Sequence, residues 1–394
     1  RSQTAPSVKR LRSGEKVTLP ENVRTALELL TNALKPFTTR TDVMYCTGGF
    51  VRDLLLGMEF ADIDIALEEE FFDRYIASIK SMPGLSGYGT DLTAGIVQFE
   101  GQVELIRFDL CGIAFDLKRT VFGQAMKEDI MKRDFTINAL YLNAYTHELF
   151  DPDNYLEDLY TRTLRGVAPY SLIFIDRNRI IRSFRFKYKG FSFEPNLKSY
   201  LATGAQDYMR EAKDIADLQR LGGEIRKCFS SSYYKEILSE LIQGGLLRFF
   251  CPGKNELYKM IDVLTLCKDI FQTKQWKEGV KLRALDDENE QVILMIEAVT
   301  VYFTMLYKQR IIHKRVVNKV NMCFFREEKA KAIQSNYKFF KKIAEKQSLE
   351  ERQKLVDKFI EETERRREGY MEAFVLSLWL SYEQFSQLRL LPKA

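Results

Sequence analysis

A chain of 394 residues, 45% of them hydrophobic and 29% charged, with only 9 Pro and 21 Gly, can bury a substantial core; this composition excludes intrinsic disorder and collagen-like repeats. Its net charge of +5 is small, and no apolar run reaches the 18 residues of a membrane span, so no membrane partner is expected. Six scattered cysteines and only two histidines, His147 and His313, exclude a zinc knuckle or a multi-histidine metal site; reduced core thiols fit a cytoplasmic or mitochondrial chain, not a secreted one.

The chain opens on Arg1, as a processed or engineered product would, with a basic arm over residues 1–20. Over 21–36, Val23, Leu27, Leu30 and Leu34 recur at helical spacing and the pattern stops at Pro36. VMYC at 43–46 predicts a short strand broken by Gly48–Gly49, and FVRDLLLG at 50–57 predicts a short helix ending at Gly57. IDIAL (63–67), GIVQF (95–99) and VELIRF (103–108) predict strands, and FTINALYLN (135–143) adds another apolar, β-branched run. Residues 21–150 therefore read as a mixed α/β head. Helical periodicity dominates beyond, through a neck at 151–230 and a body and tail at 231–394. The fold class expected is α+β overall, an α/β head followed by an all-helical neck, body and tail.

The densest chemistry lies in Gly48-Gly49-Phe50-Val51-Arg52-Asp53 followed by Asp62-Ile63-Asp64. Glycines between a strand and a helix let the backbone turn tightly and approach phosphates. Asp62 and Asp64, at i and i+2 of a strand, share one face with Cα atoms about 6.6 to 6.8 Å apart, close enough to converge on one hard cation such as Mg²⁺. An isolated DxD more often marks a solvated strand end. Here Ile63, Ile65, Ala66 and Leu67 hold the pair on a packed strand.

GGFVRDLLLGMEFADIDIAL resembles the signature of the class II tRNA nucleotidyltransferases and bacterial-type poly(A) polymerases, members of the polymerase β superfamily. KEDIMKRDFTINALYLN extends the resemblance, with Lys132 in place of an arginine and Arg133, Asp134 and Asn138 matching. In DPDNYLEDLYTRTLR the family's two glycines are replaced by Asn154 and Tyr155. In VELIRFDLCGIAFDLKRT, Glu104 and Arg107 match the segment that leads into the family's mobile loop, and Asp109 offers a further carboxylate for the metal site. The family's base-reading motif, EDxxRxxRxxRF, is matched from Asp176 through Arg179, Arg182, Arg185 and Phe186, with Ile175 in place of its leading Glu.

The resemblance implies that Asp62 and Asp64 are catalytic and hold Mg²⁺. It implies that Gly48, Gly49, Arg52, Arg107, Arg133, Asp134 and Asn138 surround the nucleotide, and that Asp176, Arg179 and Arg182 face its base. Such a head extends an RNA 3′ end from nucleoside triphosphates, without a template. The leading expectation is CCA addition to a tRNA 3′ end from CTP and ATP. A poly(A) polymerase acting on another RNA 3′ end, a partial CC- or A-adding enzyme, and a noncatalytic RNA-binding protein of the same fold are the alternatives. Between Lys308 and Lys346, twelve Lys or Arg stand against three Glu, with Phe324, Phe325, Tyr337, Phe339 and Phe340 among them. That pattern suits either an RNA backbone surface or a solvated helical face over core aromatics.

Overall fold

The structure is a computed structural model and describes residues 10–79, 85–87, 96–99, 102–122, 126–272, 288–308 and 310–324. The chain divides into two compact units, residues 1–175 with 190–198, and residues 176–189 with 199–394.

The first unit is built on an eight-stranded sheet. Its strands are β1 (Met44–Thr47), β2 (Asp62–Glu68), β3 (Leu85–Gly87), β4 (Ile96–Phe99), β5 (Gln102–Leu110), β6 (Ile113–Thr120), β7 (Tyr141–Asn143) and β8 (Leu149–Phe150). The order is β3-β5-β6-β2-β1-β7-β8, with β4 also paired to β5. Among the described residues of this sheet every pairing is antiparallel except β2 with β6. The N-terminal arm continues the sheet past β8, where Lys16 bridges Glu148 and Val17 N–H donates to the His147 carbonyl.

Alternation along β2 assigns the two faces of the sheet. Ile63, Ile65 and Leu67 are fully buried on one of them. Arg119, in register with Leu67 on β6, lays its guanidinium 4.6 Å from the Phe72 ring and bonds Asp73, so this face lies under α3 (Glu69–Ile79). Helix α1 (Glu21–Leu34) packs on α3, and the Tyr75 hydroxyl donates to the Leu30 carbonyl at 2.9 Å. The opposite face carries Asp62, Asp64 and Ala66, and Ala66 packs with Phe122, Met126, Ile130, Ala139 and Tyr141. The carboxylates thus stand at the open end of a face whose far end is core.

Two sequence expectations change. FTINALYLN is not one strand: Thr136–Asn138 form a 3₁₀ turn, and only Tyr141–Asn143 join the sheet. The segment expected to lead into a mobile loop is instead a tight hairpin. β5 and β6 meet through Cys111 and Gly112, both at positive φ, the geometry that suits the right-handed twist of paired strands. Downstream in this unit, the side chain of Asp151 accepts the Tyr155 and Leu156 N–H groups to cap α5 (Tyr155–Tyr160). Asn154 sits in the left-handed region that Tyr155 is spared.

The second unit is helical in its described residues. It contains α7 (Asn178–Tyr188), α9 (Ala205–Arg210), α10 (Ile215–Ser230), α11 (Tyr234–Gln243), α12 (Lys254–Gln272), α13 (Glu288–Lys308) and α14 (Lys314–Phe324). The short α4 (Lys127–Lys132) and α6 (Tyr170–Ile173) belong to the first unit, and the division falls within α8 (Pro195–Thr203). Helix α10 sits among α7, α11, α13 and α14. Its Gly222 faces the carbonyl oxygen of Cys323 at a distance no Cβ would tolerate, so the α10–α14 crossing requires glycine. Phe324 belongs to this core, 6.0 Å from Phe229 and 5.8 Å from Phe250 between ring centres, and is not a stacking platform for RNA. Phe325, Tyr337, Phe339, Phe340 and most of the basic tract lie outside the described residues. No described helix is long and apolar enough to cross a membrane.

Candidate active site

Asp62 is exposed at the start of β2 and Asp64 is half-buried two residues on, with Ile63 pointing into the core between them. The β1–β2 register sets Thr47 opposite Asp64, so the turn that follows β1 passes directly over the carboxylate. Gly48 makes that turn at φ 71°, and a Cβ built on it would stand 2.5 Å from Asp64 Oδ2. Glycine is needed here twice over, for the backbone angle and for the approach. Helix α2 (Gly49–Leu55) begins at once behind it.

The neighbouring strands supply a residue the motif reading passed over. In the β2–β6 register Asp64 stands beside Asp116, and in the β6–β5 register Asp116 stands beside Arg107. One row of three strands therefore reads Arg107, Asp116, Asp64, all on one face. Arg107 Nε lies 3.2 Å from both oxygens of Asp116. Burial pushes the Asp116 carboxyl above its ordinary value; Arg107 opposes the rise and the charge of Asp62 adds to it. Asp109, considered from the sequence for the metal site, shares this face. Its register partner Ala114 is in turn opposite Asp62, so it stands two strands away, roughly 10 Å across the sheet. Glu104 lies on the other face, near Arg119. Only a parallel pairing places Asp116 next to Asp64, and a strand partner 52 positions away leaves no local mark in the sequence.

Arg52, Arg133, Asp134 and Asn138 are brought together, but as a framework in which Arg52, Asp134 and Asn138 are buried and Arg133 is half-buried. Arg52 is 5% exposed, donates to both oxygens of Asp53 at 2.8 and 2.7 Å, and reaches Asn138 Oδ1 at 2.5 Å. Asn138 Nδ2 donates to Asp134 Oδ1, which also accepts the Phe135 N–H. This ladder ties α2 to the 3₁₀ turn across 86 residues of chain. Arg133 donates to Asp129 Oδ2 at 2.8 Å, to the Tyr141 hydroxyl and to the Asn138 carbonyl. Burial would raise the Asp129 carboxyl; the Arg133 charge and the Tyr141 hydroxyl overcome it and hold the carboxyl below its ordinary value. Asp129 was legible as the i−4 neighbour of Arg133 on one helical turn. Tyr141 was not.

The remaining predicted residues lie in the second unit. Asp176 precedes α7, and Arg179 Nε stands 3.7 Å from its Oδ2. Arg182 lies 3.9 Å from Glu224 and over the Phe186 ring. Ile175, the residue before Asp176, belongs to the first unit and is 63% exposed.

Two carboxylates beside a glycine cradle fit Mg²⁺, which binds through one or two carboxylates and completes its shell with water and substrate phosphates. Among the described residues no group of three or more His, Cys, Asp or Glu could hold a metal ion by itself, so any ion here needs oxygens from elsewhere.

Comparison with known proteins now bears on this arrangement. The family model of the poly A polymerase head domain matches residues 44–165. That span runs from β1 through the arginine after α5 and encloses both aspartates. Over residues 44–165 the chain is similar to a poly A polymerase head domain. The signature resemblance is upheld for this head. The CCA-adding enzyme of Streptococcus pneumoniae is 27% identical over 260 residues, 64% of this chain and 62% of that enzyme. That of Streptococcus sanguinis is 29% identical over 264 residues, 62% of this chain and 61% of its own length. The chain thus spans under two thirds of these relatives. Among solved structures, the Thermotoga maritima CCA-adding enzyme complexed with tRNA is 18% identical with a TM-score of 0.56, over 98% of this chain and 88% of that one. An apo tRNA-processing enzyme reaches 0.59 over 95% and 91%. At these identities the likeness is one of fold: an α/β head followed by helices.

Proposed function

We propose that this chain is a template-independent CCA-adding tRNA nucleotidyltransferase, adding C and A from CTP and ATP to tRNA 3′ ends and releasing pyrophosphate. The observation that carries it is the pair Asp62 and Asp64 on one open sheet face, with the Gly48 turn folded onto Asp64, inside a head of this family. The curated relatives named above support the choice of tRNA, CTP and ATP. In this reading residues 1–20 are the arm, 21–150 the head, 151–230 the neck and 231–394 the body and tail.

Asp62 and Asp64 would hold Mg²⁺, which when bound supplies charge stabilisation at the reacting phosphate. The Gly48–Gly49 turn presents backbone close to the same carboxylates, and the two glycines bring no side chain of their own to stand against a triphosphate. Arg107 keeps Asp116 compensated beside Asp64 and so limits the negative charge that an incoming polyphosphate meets. The buried ladder from Asp53 to Asp134 fixes the helix behind the turn. Asp176 accepts from an exocyclic amine and Arg179 donates to a ring nitrogen, a pattern that cytosine and adenine both present. Uracil and guanine place a carbonyl where the amine should be.

Purified protein with Mg²⁺, tRNAs ending in the discriminator base, C or CC, and each labelled triphosphate supplied alone tests this directly. Addition of C to the first two substrates and A to the third is the expected result. The name of the matching head domain favours one second reading, a poly(A) polymerase. Long A tails on unrelated RNAs with no C addition would establish that reading instead.

A further inference from the structure

The i,i+3 spacing of Asp176 and Arg179 suggests that the two brace each other, but the shorter contact to Asp176 comes from elsewhere. Arg220 on α10 places its Nε 3.1 Å from Asp176 Oδ1, against 3.7 Å from Arg179 Nε to Oδ2. Arg220 is itself pinned, its Nη2 donating to Asp217 Oδ1 at 2.7 Å one helical turn back. Asp217 is 9% exposed, and its other oxygen accepts from Arg177 Nη1. Arg177 in turn donates from Nε to the Tyr208 carbonyl at 3.0 Å and lays its guanidinium 4.2 Å from the Tyr208 ring centre. The chain Tyr208, Arg177, Asp217, Arg220, Asp176 alternates in charge from Arg177 onward and stays within the helical unit.

We infer that Arg220, held by Asp217, is a positioning residue for nucleotide selection: it fixes the carboxylate of Asp176 in the orientation from which that residue reads the base. The inference rests on the reading of Asp176 and Arg179 as base-facing residues. A carboxylate has about four lone-pair sites. With Oδ1 held by Arg220, Asp176 keeps acceptor capacity on both oxygens but loses the freedom to rotate away. Its orientation no longer depends on Arg179, whose own geometry can then follow the ring nitrogen. The side chains of Arg220 and Asp176 are 49% and 37% exposed, so the pair lies at a surface a base can reach. Asp217 is the buried anchor, and it stands 41 residues after Asp176, beyond the reach of any local motif. Ile175 brings no carboxylate to this network, and Asp217 supplies one from α10.

The test measures kcat and KM for all four triphosphates with the full chain, on a tRNA lacking CCA and on one ending in CC. The variants are Arg220→Ala, Arg220→Lys, Asp217→Asn, Asp176→Ala and the Arg220→Ala/Asp176→Ala double. Arg220→Ala is expected to lower selectivity for CTP and ATP over UTP and GTP by about tenfold to a hundredfold, through KM, the loss of one charge-assisted hydrogen bond. The double variant should be no less selective than Asp176→Ala alone, because Arg220 acts through that carboxylate. Arg220→Lys keeps the charge but lacks the fork that reaches two carboxylates, and should restore selectivity only in part. Unchanged selectivity in Arg220→Ala, an equal loss with all four triphosphates, or additive losses in the double variant would overturn the inference. If Arg220→Ala lacks a cooperative melt, Arg220→Lys and Asp217→Asn decide the same question by the same selectivity ratio. A wild type that shows no preference for CTP and ATP overturns the base-reading assignment itself, a failure separate from wild-type selectivity that survives Arg220→Ala.

Discussion

Gly48 and Asp64 are in contact range across the β1–β2 pair: the position a Cβ would take on Gly48 is 2.5 Å from Asp64 Oδ2. Gly48→Ala is therefore expected to act on the Asp64 carboxylate without touching it chemically. The methyl group pushes the carboxylate aside, and a φ of 71° strains any residue with a Cβ by about 1 kcal/mol or more. Displacing a reacting group by about 1 Å lowers rate by roughly a hundredfold. Single-turnover incorporation by Gly48→Ala, with a urea melt to show that the fold survives, measures this. A wild-type rate would mean that the close approach has no part in the reaction.

Asp62→Ala and Asp64→Ala should each abolish nucleotide incorporation and leave the melt nearly unchanged. Asp62 is exposed and Asp64 half-buried, and removing either relieves repulsion within a cluster that also contains Asp116. Incorporation near the wild-type rate in either variant would remove the pair from the site.

How far the sequence could carry these assignments depended on sequence distance. The strand holding Asp62 and Asp64, the turn at Gly48 and the helix behind it are written between Gly48 and Glu68, and period-2 alternation on a packed strand put both carboxylates on one face. Asp116 and Arg220 could not be found that way. Each is defined by a partner more than 40 positions away, Asp64 through a parallel register and Asp176 through a helix crossing. The hairpin turn at Cys111–Gly112 shows another limit, since the family pattern suggested a mobile loop where two positive φ angles close the strands directly. Arg52 and Arg133 show a third. A motif arginine reads as a phosphate grip; Asp53 and Asp129 stand close by in the sequence, but nothing local reveals that Asn138 holds Arg52 from 86 residues away or that Tyr141 joins Arg133.

Arg52→Ala consequently tests framework against ligand. The pair Arg52–Asp53 has side chains 6% and 11% exposed, and deleting one partner of a buried pair costs about 3 to 5 kcal/mol because the other charge is left uncompensated. The variant is expected to melt at markedly lower urea. Arg52→Lys, which cannot span Asp53 and Asn138 together, should recover only part of the loss. Normal stability combined with a raised KM for triphosphate would return Arg52 to the nucleotide pocket.

Glu224 gives the helical unit a stability that depends on pH. Its side chain is 5% exposed beneath α7, where Arg185 donates to Oε2, and Arg182 and Lys227 stand 3.9 and 3.2 Å from Oε1. Burial alone would push this carboxyl up; the charges of Arg185, Lys227 and Arg182 overcome burial and hold it below its ordinary value of 4.5. A carboxylate with a depressed folded-state pKa stabilises fully above its unfolded pKa, and that contribution is lost as pH falls through the folded value. Glu224→Gln keeps the size but not the charge, so at pH 7 it should be destabilised by about 3 kcal/mol, the low end of the cost of breaking a pair whose carboxylate is buried. The deficit relative to wild type should stay constant from pH 7 down to near 4.5. It should then shrink as pH falls further, because the wild type loses the same interaction by protonation. Urea melts of both proteins across pH 7 to 3.5 measure the difference directly, with contributions from every other titrating group cancelling to first order. A deficit that does not change with pH would mean that Glu224 holds α7 against α10 by shape and hydrogen bonding, with its charge contributing nothing.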